Sequence, residues 1–369
     1  MKIVQVHTQA AAGGTQRVSD MVATGLTARG HEMRTVFMYR YSDAYDGVEN
    51  ADILSLERAD GLLDKAKGAK ALMHYLRRTR PQAVITYDFW GNLIGTAGAR
   101  MAGVPLVIAN QGLAPTQSGT LAVASFLDKL CGSLGGYSYN IVNSTWTDAQ
   151  YANHPAAYRR RLKLIEHGCW RPDTFLDKVA ARDRFHLPQD AKLVISVGRL
   201  SDVKNQSVLV AALSHLPDVH LALAGNGPGR EDIIRMAQAR GLSDRLHLVG
   251  EVARSEVYDF LVAGDVFAFP SRSETFGLAA VEAAIAGVPV VASDLPVLRD
   301  VLIDEHRQPA ALFAKADDAE AFSRALDRLL CQPDLAERIR SSGRSLAQKY
   351  DPDQMAARYA ALLEGTGAV

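Results

Sequence analysis

Two glutamates flank a glycine in the segment FPSRSETFGLAAVEAAIAG, which begins at residue 269. The run AAVEAAIA predicts a helix that begins near Phe276 or Gly277. The first amides of such a helix attract an anion, and a glycine lets a phosphate approach the backbone. A rise of about 1.5 Å per residue puts Glu274 and Glu282 about 10 Å apart, close to the length of a sugar nucleotide. The pattern predicts a diphosphate site with one glutamate for sugar hydroxyls and one for a ribose.

Two cations follow an apolar strand in VISVGRLSDVKNQ, residues 194–206. Gly198 ends the strand, and Arg199 and Lys204 lie in the polar turn behind it. Fixed cations stabilise the negative charge that grows on a leaving diphosphate. In other enzymes a magnesium ion has this role. Loop cations at strand ends are common, so this segment by itself supports a structural and a functional interpretation equally.

Glycines follow two further predicted strands. Gly13 and Gly14 come after KIVQVH, with Thr15 as the expected helix cap, and the loop lacks the GxGxxG spacing of dinucleotide folds. Gly225 and Asn226 follow a strand in the second half, where ligand loops of parallel sheets gather. The first loop is a candidate for contact with a donor or an acceptor, and a plain tight turn explains it nearly as well. The second loop is a candidate for contact with the donor, although a turn is a sufficient explanation of it.

Acid and base candidates are few. Asp88 follows a strand in TYDFWGN, and His7 and His167 also stand at predicted strand ends. Residues of these types are more often structural at such places. Because no histidine pair has ligand spacing, we expect neither a metal nor another cofactor.

The composition is that of a globular protein. The 369 residues carry 41 Lys and Arg against 41 Asp and Glu, and 48% are apolar. No basic excess suggests a nucleic-acid partner, and the three cysteines form no CxxC pair, so a cytoplasmic location is expected. The basic helix predicted at residues 63–80 could lie on an anionic bilayer, although a solvated face with a buried stripe is the more typical interpretation.

Apolar runs alternate with amphipathic stretches, which predicts an α/β fold with parallel strands. The predicted strands are residues 2–7, 34–38, 83–86, 106–109 and 139–143, and then 193–197, 221–224, 246–249, 266–269 and 288–292. This alternation of apolar runs and amphipathic stretches starts again after Pro172, so a join between two domains is expected at residues 167–178. The tail from Asp318 is predicted as consecutive helices separated at Pro333 and Pro352.

These motifs resemble the retaining glycosyltransferases of family four, also called glycosyl transferases group 1. Two Glu separated by seven residues match Glu274 and Glu282, and the GRL turn followed by a lysine matches Gly198 to Lys204. The resemblance implies the GT-B fold, in which two Rossmann-like domains face each other across a deep cleft. It implies an acceptor-side domain at residues 1–170, a nucleotide-sugar domain at 171–351, and a last helix, 352–369, that packs back on the first domain.

The resemblance also assigns roles to individual residues. It implies that Arg199 and Lys204 hold the diphosphate, that Glu282 holds the ribose, and that Glu274 acts on the sugar. The rest of the implied donor site comprises Gly13, Gly14, Gly198, Gly225, Asn226, Thr275, Phe276, Gly277 and Leu278. The chain departs from the family at Gln111, where a histidine is common. Because Gln cannot act as a base, Gln111 is predicted to position the acceptor, with Asp88 as a secondary candidate.

The sequence therefore predicts a metal-independent, retaining transfer from a nucleoside-diphosphate sugar to a glycan, a glycolipid or a small molecule, at a membrane surface or in solution. An epimerase of the same two-domain architecture is the first alternative. A dinucleotide-dependent oxidoreductase and a protein that only binds the donor are the others.

Overall fold

The computed structural model describes residues 1–11, 13–56, 62–112 and 119–365, without the side chains of residues 62–65 and 119–121. Its strands are β1 (Lys2–Ala10), β2 (Glu32–Arg40), β3 (Ala51–Ile53), β4 (Ala83–Thr86), β5 (Leu106–Asn110), β6 (Tyr139–Val142), β7 (Leu162–Leu164), β8 (Lys192–Val197), β9 (Val219–Ala224), β10 (Leu246–Gly250), β11 (Val266–Phe269), β12 (Val290–Ser293) and β13 (Ala311–Ala314).

Its helices are α1 (Gly14–Ala28), α2 (Leu62–Thr79), α3 (Phe89–Met101), α4 (Gly119–Ser133), α5 (Thr145–Gln150), α6 (Ala156–Arg159), α7 (Lys178–Arg184), α8 (Ser207–Leu213), α9 (Arg230–Ala239), α10 (Val257–Ala263), α11 (Leu278–Ile285), α12 (Pro296–Val301), α13 (Ala319–Cys331), α14 (Pro333–Lys349) and α15 (Pro352–Glu364). Among the described residues, none of these helices has the length and apolarity needed to cross a bilayer.

The chain divides into two compact units. Unit 1 comprises Met1–Gly168 together with Asp351–Val369, and unit 2 comprises Cys169–Tyr350. The chain first passes from unit 1 to unit 2 between Gly168 and Cys169, which lies within the join expected at residues 167–178. The predicted last helix, 352–369, is observed as α15 and belongs to unit 1, where it packs on α1; residues 366–369 lie outside the described part of the chain.

Unit 1 contains a parallel sheet of seven strands in the order β3-β2-β1-β4-β5-β6-β7. Buried valines of β1 and β4 pack against Leu72 and Leu76 on one face of α2. The basic helix expected at residues 63–80 thus has its apolar stripe in the core, which is the solvated-face interpretation and not the bilayer one. The strand order reverses between β1 and β4, which marks a place where ligands bind in open α/β sheets.

Unit 2 contains a parallel sheet of six strands in the order β10-β9-β8-β11-β12-β13. Val194 of β8 and Val266 of β11 pair directly, and both lie in a core that includes Phe322 of α13 and Ile339 of α14. Here the strand order reverses between β8 and β11. The loops that follow these two strands are the ones that carry the charged motifs of the sequence.

The α/β fold class is confirmed, and each predicted strand has an observed counterpart that overlaps it. Three observed strands, β3, β7 and β13, were not predicted. Each has three or four residues and lies at the edge of a sheet, so a single neighbour stabilises it and its sequence carries little periodicity.

Candidate functional site

The candidate site of unit 2 lies where β8 and β11 end side by side. Gly198 and Arg199 follow β8, and the loop of residues 270–277 follows β11 and leads into α11. The carboxyl ends of parallel strands lie on one edge of a sheet, and the reversal of strand order opens a crevice there. The topology therefore brings the two informative motifs of the sequence to one place, although more than 60 residues separate them.

The turn after β8 packs closely on the loop after β9. The amide of Gly198 donates to the carbonyl of Ala224 at 2.9 Å, and the amide of Leu200 donates to the carbonyl of Asn226 at 3.0 Å. A Cβ at Gly225 would overlap the carbonyl oxygen of Gly198, so only glycine fits there. The structure thus gives Gly225 a packing role beside the site, and the side chain of Asn226 is exposed.

Lys204 and Glu274 form an ion pair across the two loops. The Nζ atom of Lys204 lies 2.5 Å from Oε1 of Glu274, and the side chains are 31% and 10% exposed. The loops are joined by the amide of Arg272, which donates to the carbonyl of Val203 at 2.8 Å. The Lys204 ammonium also lies 5.4 Å from the centre of the Phe269 ring. The structure therefore brings together a cation and a carboxylate that the sequence assigned to one ligand.

Asn205 is a residue of this site that the sequence analysis missed. Its backbone is left-handed, with φ of 56°, and its amide donates to the carbonyls of Pro270 and Ala316 at 3.3 and 2.7 Å. The side chain therefore ties the Lys204 turn to the Glu274 loop. Asparagine tolerates the left-handed region better than most residues, and an Asn directly behind the lysine was the available signal.

The helix α11 begins at Leu278, one or two residues later than predicted, and Gly277 is its N-cap. Gly277 has φ of 86°, and a Cβ there would lie 2.6 Å from Leu298. The Phe276 ring is buried and packs edge-on against Tyr350 at 5.2 Å, so the side chain of Phe276 faces the protein. Only the backbone of Phe276 is thus available for the phosphate contact that the sequence predicted.

Glu282 lies in the second turn of α11 and is only 1% exposed. Its neighbours Val281 and Ala283 are fully buried. Burying a carboxylate costs free energy unless the group is paired or hydrogen-bonded, so such residues are rarely buried. A purely structural explanation of Glu282 required a solvated side chain, and the observed burial contradicts it.

The remaining unit 2 residues of the predicted donor site also lie near these loops. Arg199 is exposed and directly follows Gly198, and Thr275 and Leu278 are half-buried on either side of Phe276 and Gly277. Among the described residues, no group of three or more His, Cys, Asp and Glu side chains is arranged to hold a metal ion.

In unit 1, Gly13 and Gly14 lie at the start of α1, the helix that follows β1 in the chain. Gly13 is the N-cap in an extended conformation, and the helix begins at Gly14. The expected cap at Thr15 is wrong, because Thr15 lies inside the first helical turn and Gly13 makes no side-chain cap. Gly14 is exposed, so the close approach of a ligand to its backbone is sterically allowed.

Asp88 caps the helix α3. Its carboxylate accepts from the amides of Gly91 and Thr8 at 2.9 and 3.1 Å, and from the Thr8 hydroxyl. Burial raises the pKa of Asp88, and the hydrogen bonds from Thr8 and Gly91 oppose this shift. The contacts join the ends of β1 and β4, so they already give Asp88 a structural role at the reversal point of this sheet.

Gln111 follows β5 and points into the interior of unit 1. Its amide nitrogen donates to Asp128 and to Asn140, each at 3.0 Å. Tyr137 and Tyr158 donate to the two oxygens of Asp128, both at 2.6 Å. These five side chains, here called the Asp128 network, are all at least 96% buried. The donor end of Gln111 therefore positions protein groups, and its predicted contact with an acceptor would have to come from its oxygen or backbone.

The two histidines that the sequence raised as base candidates contact protein groups, His7 as a buried side chain and His167 as a half-buried one. His7 stacks on Tyr87 with 4.6 Å between ring centres and bonds to Ser19 at 2.8 Å. His167 lies 3.0 Å from the amide nitrogen of Asn143, and burial lowers its pKa to about 4. Both contacts fit the structural interpretation of these residues.

Residues 177–346 of the chain match the family model described as glycosyl transferases group 1. A D-inositol 3-phosphate glycosyltransferase of Xylanimonas cellulosilytica is 34% identical over 191 residues, which is 50% of this chain and 45% of that protein. The protein of the same description from Mycolicibacterium smegmatis is 35% identical over 222 residues, covering 52% of this chain and 51% of its own length. The chain thus covers about half the length of these curated relatives.

Solved structures match almost the whole length of the chain. Sucrose-phosphate synthase from Thermosynechococcus elongatus has a TM-score of 0.83 at 22% identity, covering 99% of this chain and 98% of its own. HepE of Anabaena, solved in complex with UDP and glucose, has a TM-score of 0.81 at 18% identity, covering 99% of each chain. At this level of identity the similarity concerns the fold.

Proposed function

We propose that this chain, whose residues 177–346 match the family model of the glycosyl transferases group 1 and whose fold is GT-B, transfers a sugar from a nucleoside-diphosphate sugar to an acceptor hydroxyl. The proposal depends above all on one observation, the Lys204–Glu274 pair beside the start of α11 at the reversal point of the unit 2 sheet. UDP-glucose is the donor to test first, because HepE is described with UDP and glucose.

Different residues of unit 2 bind different parts of the donor. Arg199 and Lys204, together with the backbone amides of Gly277 and Leu278, stabilise the leaving diphosphate. The negative charge on its oxygens grows as the bond to the sugar breaks, so these contacts strengthen in the transition state. Glu274 holds hydroxyls of the sugar, and Glu282 holds the ribose diol. On this view Lys204 exchanges part of its contact with Glu274 for a phosphate oxygen, which leaves Glu274 free to accept from the sugar.

The reaction that we propose proceeds with retention and without a metal. The bond from the anomeric carbon to the diphosphate oxygen breaks while the acceptor oxygen bonds to the same face of the carbon. The proton of the acceptor hydroxyl passes to the departing phosphate oxygen, so the step needs no protein base. This suits unit 1, where Gln111 cannot take a proton and Asp88 already accepts three hydrogen bonds.

The acceptor and the location belong to the same proposal. Inositol 3-phosphate is the first acceptor to test, because the curated relatives are described as acting on it. Glycans and glycolipids follow as further acceptors. Cys131, Cys169 and Cys331 are not joined in disulfides, which suits the reducing cytoplasm.

Calorimetric titration with UDP and UDP-glucose tests the donor site. We expect Arg199→Ala and Glu282→Gln each to weaken UDP binding by about tenfold or more, because each removes a charge-assisted hydrogen bond. Arg240→Ala is the matched control, since Arg240 is an exposed arginine at the end of α9. If both variants bind and turn over like the unmodified protein, the proposed donor site is wrong.

The epimerase alternative is separated by leaving out the acceptor. Incubation with UDP-glucose alone, followed by proton NMR, detects an epimerised sugar nucleotide. Transfer predicts unchanged donor or slow hydrolysis under these conditions, whereas an accumulating epimer would replace the proposal. Binding with no transfer to any tested acceptor and no hydrolysis would instead favour a protein that only binds the donor.

A further inference from the structure

The helix α4 in unit 1 presents large apolar side chains to solvent. Val123, Phe126 and Leu130 are 64%, 65% and 45% exposed, and Leu127 and Leu134 are exposed as well. The spacing of three, four and seven residues puts the first four on one face of the helix, and Leu134 continues that face just beyond its end. We call these five residues the α4 stripe. A contiguous exposed apolar surface of this kind marks an interaction site.

The opposite face of α4 is small and polar. It carries Ala124, Asp128 and Gly132, which recur every four residues and are buried. Asp128 is held by the hydroxyls of Tyr137 and Tyr158, and a Cβ at Gly132 would overlap the Tyr158 ring. A helix of a water-exposed protein normally has the reverse arrangement, with its large apolar residues inward. The helix α4 is therefore anchored to unit 1 through its polar face, and its apolar face is exposed and available for a non-aqueous environment.

Cations surround the α4 stripe. Lys129 lies on α4 beside Phe126, and α6, which packs against α4, carries the exposed Arg159 followed by the exposed Arg160. The guanidinium of Arg161 would be 3.3 Å from a Cβ at Gly135, which places it at the end of α4. Within residues 122–135 and 154–165 the buried Asp128 is the only acid. This surface thus combines an apolar centre with a positive rim.

We propose that the α4 stripe and its neighbouring arginines dock unit 1 on an anionic lipid bilayer, with α4 lying in the plane of the headgroups. Apolar side chains enter the boundary between headgroups and acyl chains, and the cations contact lipid phosphates. A second copy of the chain is a poorer partner, because a twofold contact through the stripe would bring like cations together. The basic helix α2, which the sequence suggested for this role, has Leu72 and Leu76 in the core.

Vesicle co-sedimentation tests the proposal. The unmodified chain is mixed with vesicles of phosphatidylcholine alone, or with about 30 mol% phosphatidylglycerol added, at about 0.1 and about 0.5 M NaCl. We expect binding to the anionic vesicles that weakens with salt. The variant Phe126→Ser/Leu130→Ser should bind at least about tenfold more weakly, and Arg159→Gln/Arg160→Gln should lose most of the preference for anionic lipid.

Two controls keep the test specific. Val179→Ser removes an exposed apolar side chain of comparable exposure, 62%, from α7 of unit 2 and should bind like the unmodified chain. Circular dichroism melts should show that the stripe variant remains folded, since its substituted side chains are exposed. In a second measurement, Phe126→Trp should add a blue-shifted emission component on anionic vesicles that the unmodified chain lacks.

Three results would overturn the proposal. One is that the unmodified chain does not sediment with anionic vesicles. Another is that the stripe variant binds as well as the unmodified chain. The third is that light scattering finds the unmodified chain to be a dimer that Phe126→Ser/Leu130→Ser converts to a monomer, which would make a second copy the partner of α4.

Discussion

Lys204 and Glu274 are one example of how single residues in unit 2 combine structural and chemical roles. Their ion pair is partly exposed, and pairs of this kind contribute about 0 to 1 kcal/mol to folding. The pair also fixes the positions of a cation and a carboxylate at the ends of two neighbouring strands. Its main value is therefore the geometry of the site and not the stability of the fold.

Gly277 offers a prediction at the residue scale. Gly277→Ala should lower the free energy of unfolding by about 2 to 4 kcal/mol, because the left-handed backbone costs about 1 kcal/mol and the new Cβ meets Leu298. Gly241→Ala is the matched control, since Gly241 has φ of 65° and no atom lies within 4 Å of the position that its new methyl group would take. Urea unfolding of both variants measures the difference, and equal losses would show that the Leu298 contact is unimportant.

His167 predicts a pH dependence. Burial lowers its folded-state pKa to about 4 from the ordinary value of 6.5, so the folded protein favours the neutral ring. The stability that this ring contributes is fully present above pH 6.5 and is lost as the pH falls toward 4, by about 2 to 3 kcal/mol in all. Unfolding free energies of the unmodified chain and His167→Gln between pH 7 and pH 4 should therefore converge with falling pH. Parallel curves would contradict the assignment.

At the scale of elements, the Asp128 network holds α4 against the end of the unit 1 sheet. Tyr158→Phe should destabilise the protein by about 1 to 3 kcal/mol, because Asp128 and Asn140 each lose a buried partner. Tyr139→Phe is the control, since Tyr139 lies on β6 and is only half-buried. Thermal melts measure both variants, and a loss for Tyr158→Phe no larger than that of the control would mean that water replaces the hydroxyl.

The sequence predicted the central strands well because they are buried on both faces. Residues 83–86 and 266–269 coincide with β4 and β11, and Pro333 and Pro352 are the first residues of α14 and α15. Edge strands such as β7, with the sequence LKL, were beyond prediction because hydrogen bonds to one neighbour stabilise them, and these depend on tertiary structure.

The candidate site was predictable to the extent that chain topology follows from strand order. Lys204 and Glu274 could be assigned to one ligand because both follow strands of one parallel sheet. The inward direction of Gln111 could not be predicted, since it depends on Asp128 and Tyr158 far along the chain. The spacing of Phe126 and Leu130 was equally ambiguous, because core helices and docking helices share the same periodicity.

At the scale of the whole molecule, α15 completes unit 1 although most of the chain separates it from α1. A Cβ at Gly25 of α1 would overlap the Cβ of Ala356, so the two helices are in close contact. Ala356→Leu should therefore destabilise unit 1 by about 1 to 3 kcal/mol. Ala357→Leu adds the same volume at an exposed position of α15 and is the matched control.

Hydrogen exchange read by mass spectrometry locates the effect. In Ala356→Leu, exchange should accelerate in peptides from α1 and β2, and peptides from β8 and β11 in unit 2 should change little. Equal acceleration in both units would mean that the chain unfolds as one cooperative body.

The backbone passes between the units twice, and the two passages are neighbours. The amide of Cys169 donates to the carbonyl of Tyr350 at 2.8 Å, and a Cβ at Gly168 would lie 2.5 Å from the Cα of Pro352. Because the two ends of this segment are neighbours in space, a replacement segment has to fit the rest of the chain at only one place in the structure. Residues 169–350 could thus be replaced by the corresponding stretch of a relative, and chimeras built this way would reveal which half of the molecule dictates each specificity.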